Sequence, residues 1–127
     1  MRIALDTSAY RAAAENDPKT VEVLRRADEV WVPFVVLGEL RAGFAAGTLG
    51  RKNEARLTEF LNSPRVRMLL ADEQTTHQYA ALFAQLRRQG TPVPTNDLWI
   101  AALVVQHDLL LLSNDAHFSR IPQIVRL

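Results

Sequence analysis

At 127 residues, with 48% apolar and 23% charged side chains and a formal net charge of +1, the chain has an ordinary globular composition and is read as one domain, residues 1–127, with a proper core. The absence of cysteine excludes disulfides, thiolate–zinc sites and thiol nucleophiles, and a chain needing no such staples suits the cytoplasm, the expected compartment. Apolar runs reach only about eight residues, against roughly 18 for a membrane span, and Asp6 and Arg11 interrupt the N-terminus before a signal peptide could form, so neither membrane insertion nor export is expected.

The first strand is expected at Arg2–Leu5, with Thr7 and Ser8 placed to cap a helix running to about Asn16. Asp17-Pro18 reads as N-cap and first residue of a second helix, which carries Val21, Leu24 and Ala27 on one face. A short strand over Glu29–Val32 ends at Pro33. From Phe34 the apolar spacing turns helical and holds until Gly47, and Arg51–Leu61 forms a more polar helix closed by Asn62-Ser63-Pro64. A strand at Val66–Leu70 follows. Asp72 then caps a long helix over Glu73–Gln89, with Tyr79, Leu82, Phe83 and Leu86 on its apolar side and Gly90 at its end. After the stiff Thr91-Pro92-Val93-Pro94 connector, Thr95 or Asn96 caps a helix through Gln106. Leu109–Ser113 is apolar on both faces, as in the middle of a parallel sheet, and a turn at Ala116–Ser119 leads to a last strand at Ile124–Leu127. Strands and helices alternate throughout. The expected fold is a three-layer α/β/α arrangement around a central parallel sheet.

Four acids stand out against this plan. Asp6 closes Ile3-Ala4-Leu5, Glu39 is the only charge from Trp31 to Leu40, Asp97 opens the apolar run Leu98–Val105, and Asp115 follows Leu109–Asn114. In open parallel sheets the ligand crevice lies beyond the carboxyl ends of the strands, where Asp6 and Asp115 both fall. Asp97 opens a helix at the end that would face the same crevice. Taken singly, Asp6 has an ordinary explanation as an Asx turn, Asp97 as a helix N-terminal acid worth about 0.3–1 kcal/mol, and Asp115 as a turn cap. Glu39 is harder to explain away: it shares a turn with Val35, Val36 and Gly43, while Arg41 points elsewhere on the helix. Acids gathered in one place need compensation, most simply a divalent cation, and oxygen-only ligands favour Mg²⁺ or Mn²⁺ over zinc. With these four set aside, ten acids remain against 15 Lys and Arg, a body of about +5 around an acidic pocket. That contrast suits a phosphate-bearing substrate reached through metal, and thirteen of the cations being Arg points the same way.

These motifs, in this order, resemble the PIN-domain ribonucleases, especially the VapC-type toxins of toxin–antitoxin pairs. The family's strand ending in Asp-Thr/Ser matches Leu5-Asp6-Thr7-Ser8, and its E-L-x-x-G helix matches Glu39-Leu40-Arg41-Ala42-Gly43. Its N-D-x-x-I-A-A helix start matches Asn96-Asp97-Leu98-Trp99-Ile100-Ala101-Ala102. Its T-x-D after a strand matches Ser113-Asn114-Asp115, with Ser in place of the usual Thr and Phe118 as the following aromatic. The resemblance implies a PIN-like fold and an endoribonuclease dependent on Mg²⁺ or Mn²⁺, with Asp6, Glu39, Asp97 and Asp115 holding the metal directly or through water. A water activated by that metal would hydrolyse the RNA phosphodiester, and Thr7, Asn96 and Ser113 would orient the carboxylates from behind. It also implies a homodimer and a cognate antitoxin protein whose tail covers the site. Phe34, Leu37, Phe44 and Leu49 exceed the obvious needs of one core and support the dimer.

Other readings fare less well. A receiver domain would want a lysine near the last strands, yet the only lysines are Lys19 and Lys52. No glycine-rich phosphate loop is present for a nucleotide-binding domain. A non-catalytic RNA- or protein-binding module on a PIN-like fold stands as the alternative. His77, His107 and His117 lack zinc spacing and are not expected to be ligands. Trp31 and Trp99 read as core or interface residues.

Overall fold

Four parallel strands form one sheet in the order β3-β2-β1-β4, with β1 at Arg2–Leu5, β2 at Glu29–Pro33, β3 at Val66–Leu69 and β4 at Leu110–Leu112. The computed structural model describes residues Met1–Leu127. Six helices flank the sheet: α1 (Thr7–Ala14), α2 (Pro18–Arg26), α3 (Phe34–Ala46), α4 (Gly50–Leu61), α5 (Glu73–Gln89) and α6 (Thr95–Gln106), with a 3₁₀ turn at Ala116–Arg120. The expected three-layer α/β/α order is the one found. No helix is long and apolar enough to cross a membrane.

β1 is central because Ile3, Ala4 and Leu5 are apolar on both faces and fully buried. Ile3 pairs with Val30 on one side and Leu110 on the other, and Leu5 lies opposite Leu112. This register brings the carboxyl ends of β1 and β4 side by side, so Asp6 meets the chain that leaves β4. The Asp6 N–H reaches the Leu112 carbonyl at 3.3 Å.

Helix α6 is apolar all round, with Leu98, Ile100, Ala101, Ala102, Leu103 and Val104 buried. It packs against α5 and α3, and its far end is fastened to α5. There Asp72 caps α5 by accepting the Thr75 N–H, while the Thr75 hydroxyl accepts the Asp72 N–H at 2.9 Å and donates to Gln106 Oε1 at 2.6 Å. Gln106 Nε2 returns a bond to Asp72 Oδ1 at 2.9 Å. Gly90 closes α5 in the left-handed conformation (φ 73°), where a side chain would be strained.

Several local expectations change. Asp6 itself caps α1 through the Ala9 N–H, so Thr7 and Ser8 are free for other bonds. Helix α6 begins after Pro94 with no side-chain cap, leaving Thr95 and Asn96 without that role. The last expected strand shrinks to one parallel bridge, Leu111 with Arg126. Leu37 is a core residue, whereas Phe34 and Leu49 are exposed.

The Asp72–Thr75–Gln106 cluster is buried at Thr75, so Thr75→Val should destabilise the fold by about 1–2 kcal/mol in urea unfolding. An unchanged midpoint would mean that this cluster does not hold α5 to α6.

Candidate active site

Asp6 is 4% exposed and has no cation within ion-pairing reach. Its compensation is hydrogen bonding. Oδ1 accepts the Ser8 hydroxyl at 2.7 Å and the Ala9 N–H at 2.9 Å, and Oδ2 accepts the Ser113 hydroxyl at 2.5 Å. Each serine also accepts a backbone N–H from the segment after β4: Ser8 from Asn114 at 3.1 Å and Ser113 from Asp115 at 2.9 Å. A hydroxyl has one hydrogen to give, and in both cases Asp6 receives it. Asp6 therefore clamps β1, α1 and the Asp115 loop together. Three of its roughly four lone-pair sites are occupied, which leaves about one facing the cleft.

The other acids arrive from separate elements. Glu39, on α3, accepts the Thr7 hydroxyl at 3.1 Å. Asp97, in the first turn of α6, and Asp115, N-cap of the 3₁₀ turn, converge on His117. His117 Nδ1 stands 2.9 Å from Asp97 Oδ2 and 3.2 Å from Asp115 Oδ1, and the His117 N–H donates to Asp115 Oδ1 at 2.9 Å. Two carboxylate oxygens facing one ring nitrogen place the imidazole proton on Nδ1. Asp6, Glu39, Asp97 and Asp115 line one cleft of about 200 Å³ together with Thr7, Ser8, Arg11 and Ile100.

Burial, foremost, pushes the Asp97 carboxyl above the usual range. The His117 hydrogen bond opposes that rise, and the nearby Asp115 and Glu39 charges add to it. Such an acid stabilises the fold in its protonated form, and this stabilisation is lost as pH rises through the raised folded pKa. Where Asp97 is ionised, its burial is thus a cost to the metal-free protein.

The cleft fits a divalent cation by its donor set. Ligand atoms of Asp97, Asp115 and His117 all lie within 4.8 Å of one another, with the Asp6 and Glu39 carboxyls lining the same space. The His117 ring nitrogen lies in the same group, but with its proton directed at the two carboxylates it is their donor, and the ligand atoms on offer are the carboxylate oxygens. Reading the chain by linear spacing missed His117, which lies two residues past Asp115, and also missed Ser8. Asn96, expected to support the carboxylates, is exposed and makes no hydrogen bond to them. Thr7 and Ser113 do touch acids, Glu39 and Asp6 respectively.

Fold and cleft together define a small parallel α/β protein with an acidic site at the carboxyl ends of its central strands. The chain belongs to the PIN-domain family, whose model matches residues 3–124. It is 32% identical over 126 residues to ribonuclease VapC4 of Mycobacterium tuberculosis, covering 97% of this chain and 93% of that one. It superimposes on a chain of VapBC-1 from nontypeable Haemophilus influenzae with a TM-score of 0.88 at 25% identity, covering 100% of this chain and 97% of that one. Against VapBC2 of Rickettsia felis bound to a promoter DNA fragment the TM-score is 0.87 at 25% identity, with 100% and 98% covered.

Asp97→Asn should leave the metal-free protein as stable as the parent or more stable, because an unfavourably buried charge is gone. In Mn²⁺ the parent should gain about 1.4 kcal/mol at roughly ten times its dissociation constant, and the variant less. Thermal melts in EDTA and in Mn²⁺ read both effects. A variant that loses stability in EDTA yet keeps the full Mn²⁺ gain would make Asp97 a plain helix-capping acid.

Proposed function

We propose that the chain is a metal-dependent endoribonuclease acting as the toxin of a toxin–antitoxin pair. The observation that carries this reading is the convergence of Asp6, Glu39, Asp97 and Asp115 on one cleft in a PIN-domain chain. Its likeness to a ribonuclease and to VapBC proteins supports the substrate class and the antitoxin partner.

Asp97 and Asp115 would hold Mg²⁺ or Mn²⁺, with Asp6 and Glu39 contributing directly or through water. Bound there, the ion would lower the pKa of a water and offset charge on the scissile phosphodiester. The chain's own residues do the positioning. Ser8, Ala9 and Ser113 fix the Asp6 carboxyl, Thr7 aims Glu39, and His117 holds Asp97 and Asp115 close despite their like charge. No Ser-His or Cys-His nucleophile lines the cleft, so water is the nucleophile this site would use. A cleft of about 200 Å³ has room for a phosphodiester splayed from a single strand or loop, which favours such RNA over a duplex.

Asp97→Asn is the cleaner test of catalysis. Asn at position 6 would turn an NH₂ toward groups that now donate to Asp6, so Asp6→Asn should also weaken the fold. Asp97→Asn should lower Mg²⁺- or Mn²⁺-supported RNA cleavage by about a hundredfold or more, and EDTA should abolish cleavage by the parent. Near-parental cleavage by a folded Asp97→Asn protein would remove the metal-site assignment.

The proposed homodimer has support in Phe34 and Phe83, which are 40% and 49% exposed. Phe83 borders an apolar cavity of about 360 Å³ with Leu86, Pro92, Val93 and Leu98. Light scattering at micromolar concentration should give twice the 14.3 kDa chain mass, and a monomer would remove the dimer without touching the chemistry.

A further inference from the structure

Arg11 is the one side chain that lines both the acidic cleft and a second cavity, of about 330 Å³, between α1, α3 and α4. Its guanidinium lies beside bare backbone: a methyl group at Gly43 would sit 3.5 Å from Arg11 Nη2. The second cavity is bordered by Tyr10, Phe44, Asn53 and Arg56, and Arg56 continues into a further hollow of about 520 Å³ toward α2. A trough thus runs from the four acids past Arg11 to Arg56.

The pairing of these arginines separates them from their neighbours. Arg41 on α3 is occupied by Glu54, and Arg126 by the Asp115 carbonyl. Arg11 and Arg56 make no hydrogen bond or ion pair, even though Glu15 lines the same cavity and Glu59 the further hollow. A polyanion entering a four-carboxylate cleft needs cations along its approach, and planar guanidinium groups suit phosphate. Aromatic edges and a carboxamide beside them suit an unstacked base. A cavity of this size is within the range that holds small ligands.

From this we infer that the cavity beside the acidic cleft takes the RNA nucleotide adjoining the scissile phosphodiester, with Arg11 on its phosphate and Arg56 on the next. The inference rests on the ribonuclease reading for its substrate, and it makes Arg11 and Arg56 positioning residues rather than catalytic ones.

Arg11→Gln with Arg56→Gln tests this, assayed for cleavage in Mn²⁺ and for binding of a fluorescein-labelled single-stranded RNA in EDTA by anisotropy. KM should rise about tenfold, the loss falling on KM rather than kcat. The slope of log affinity against log salt should become shallower by about 0.7 for each phosphate that is no longer neutralised. Arg11→Lys should recover part of the affinity, whereas Arg88→Gln, which removes one charge from α5 as either single variant does from the trough, should move neither quantity. Unchanged KM and salt slope in the double variant would overturn the inference and leave the cavity to a protein tail. Should the parent bind RNA through Arg11 and Arg56 yet cleave none, the ribonuclease reading falls while the nucleotide cavity is supported.

Discussion

Burying a carboxylate at the end of the central strand is the constraint on which the rest of the site depends. A buried carboxyl without partners costs several kcal/mol, and Asp6 meets that cost with three hydrogen bonds and no cation. The donors come from opposite ends of the chain, since Ser113 lies 107 residues beyond Asp6. Ser8 and Ala9 are local, but Ser113 is available only because β1 and β4 are parallel neighbours in register, Leu5 opposite Leu112. Ser8 and Ser113 then pass the constraint onward by binding the Asn114 and Asp115 amides. The position of Asp115 follows from the burial of Asp6, and capping α1 follows from the same oxygen that accepts Ser8.

Asp97 is held by a different device. It projects from the first turn of a helix whose following residues, Leu98 and Ile100 to Val104, are buried in the core. Burial raises its pKa, and the His117 hydrogen bond opposes that rise. An acid so placed favours whatever cationic partner enters the cleft, and Asp115 and Glu39 nearby increase that preference. The cost to the metal-free fold and the affinity for metal are two readings of one electrostatic arrangement. The Thr75 contact with Gln106 matters here because it fixes the opposite end of the same helix.

Much of this was legible in the chain alone, for physical reasons. Strand and helix order followed from periodicity, and Asp17, Asp72 and Gly90 marked helix ends because capping chemistry is local. The four acids stood out as charges at the borders of apolar runs, and the cleft does gather them. What escaped depended on contacts across the sheet. Ser8 looked like a helix cap until Asp6 took that place, and the partner that gives Ser8 its second bond is Asn114. His117 has no linear spacing to Asp97 that marks a pair; the 3₁₀ turn after Asp115 folds it back. Asn96 shared a motif with Asp97 yet is exposed, and α6 begins after Pro94 with no side-chain cap.

Charge makes the same point about scale. A net charge of +1 averages a cleft rich in carboxylates with a surface rich in arginine, and the average describes neither. Pairing decides which charges are available to a ligand. Glu22 engages Arg25 and Arg26, Glu29 engages Arg2, and Glu54 engages Arg41, so much of the exposed positive charge on α2, β1 and α3 is already answered within the chain. Such surface pairs add little stability, but they do lower the field that those arginines present to a ligand. Arg11 and Arg56 escape this cancellation, and they lie in the trough that leads away from the carboxylates. The acidic end of that trough attracts a cation and repels phosphate, while at the other end, where Glu15 and Glu59 share the hollows, a phosphate would be held by direct contact with the unpaired guanidinium groups. Bound metal would remove the repulsion at the first end, so metal and polyanion would each favour the other's binding.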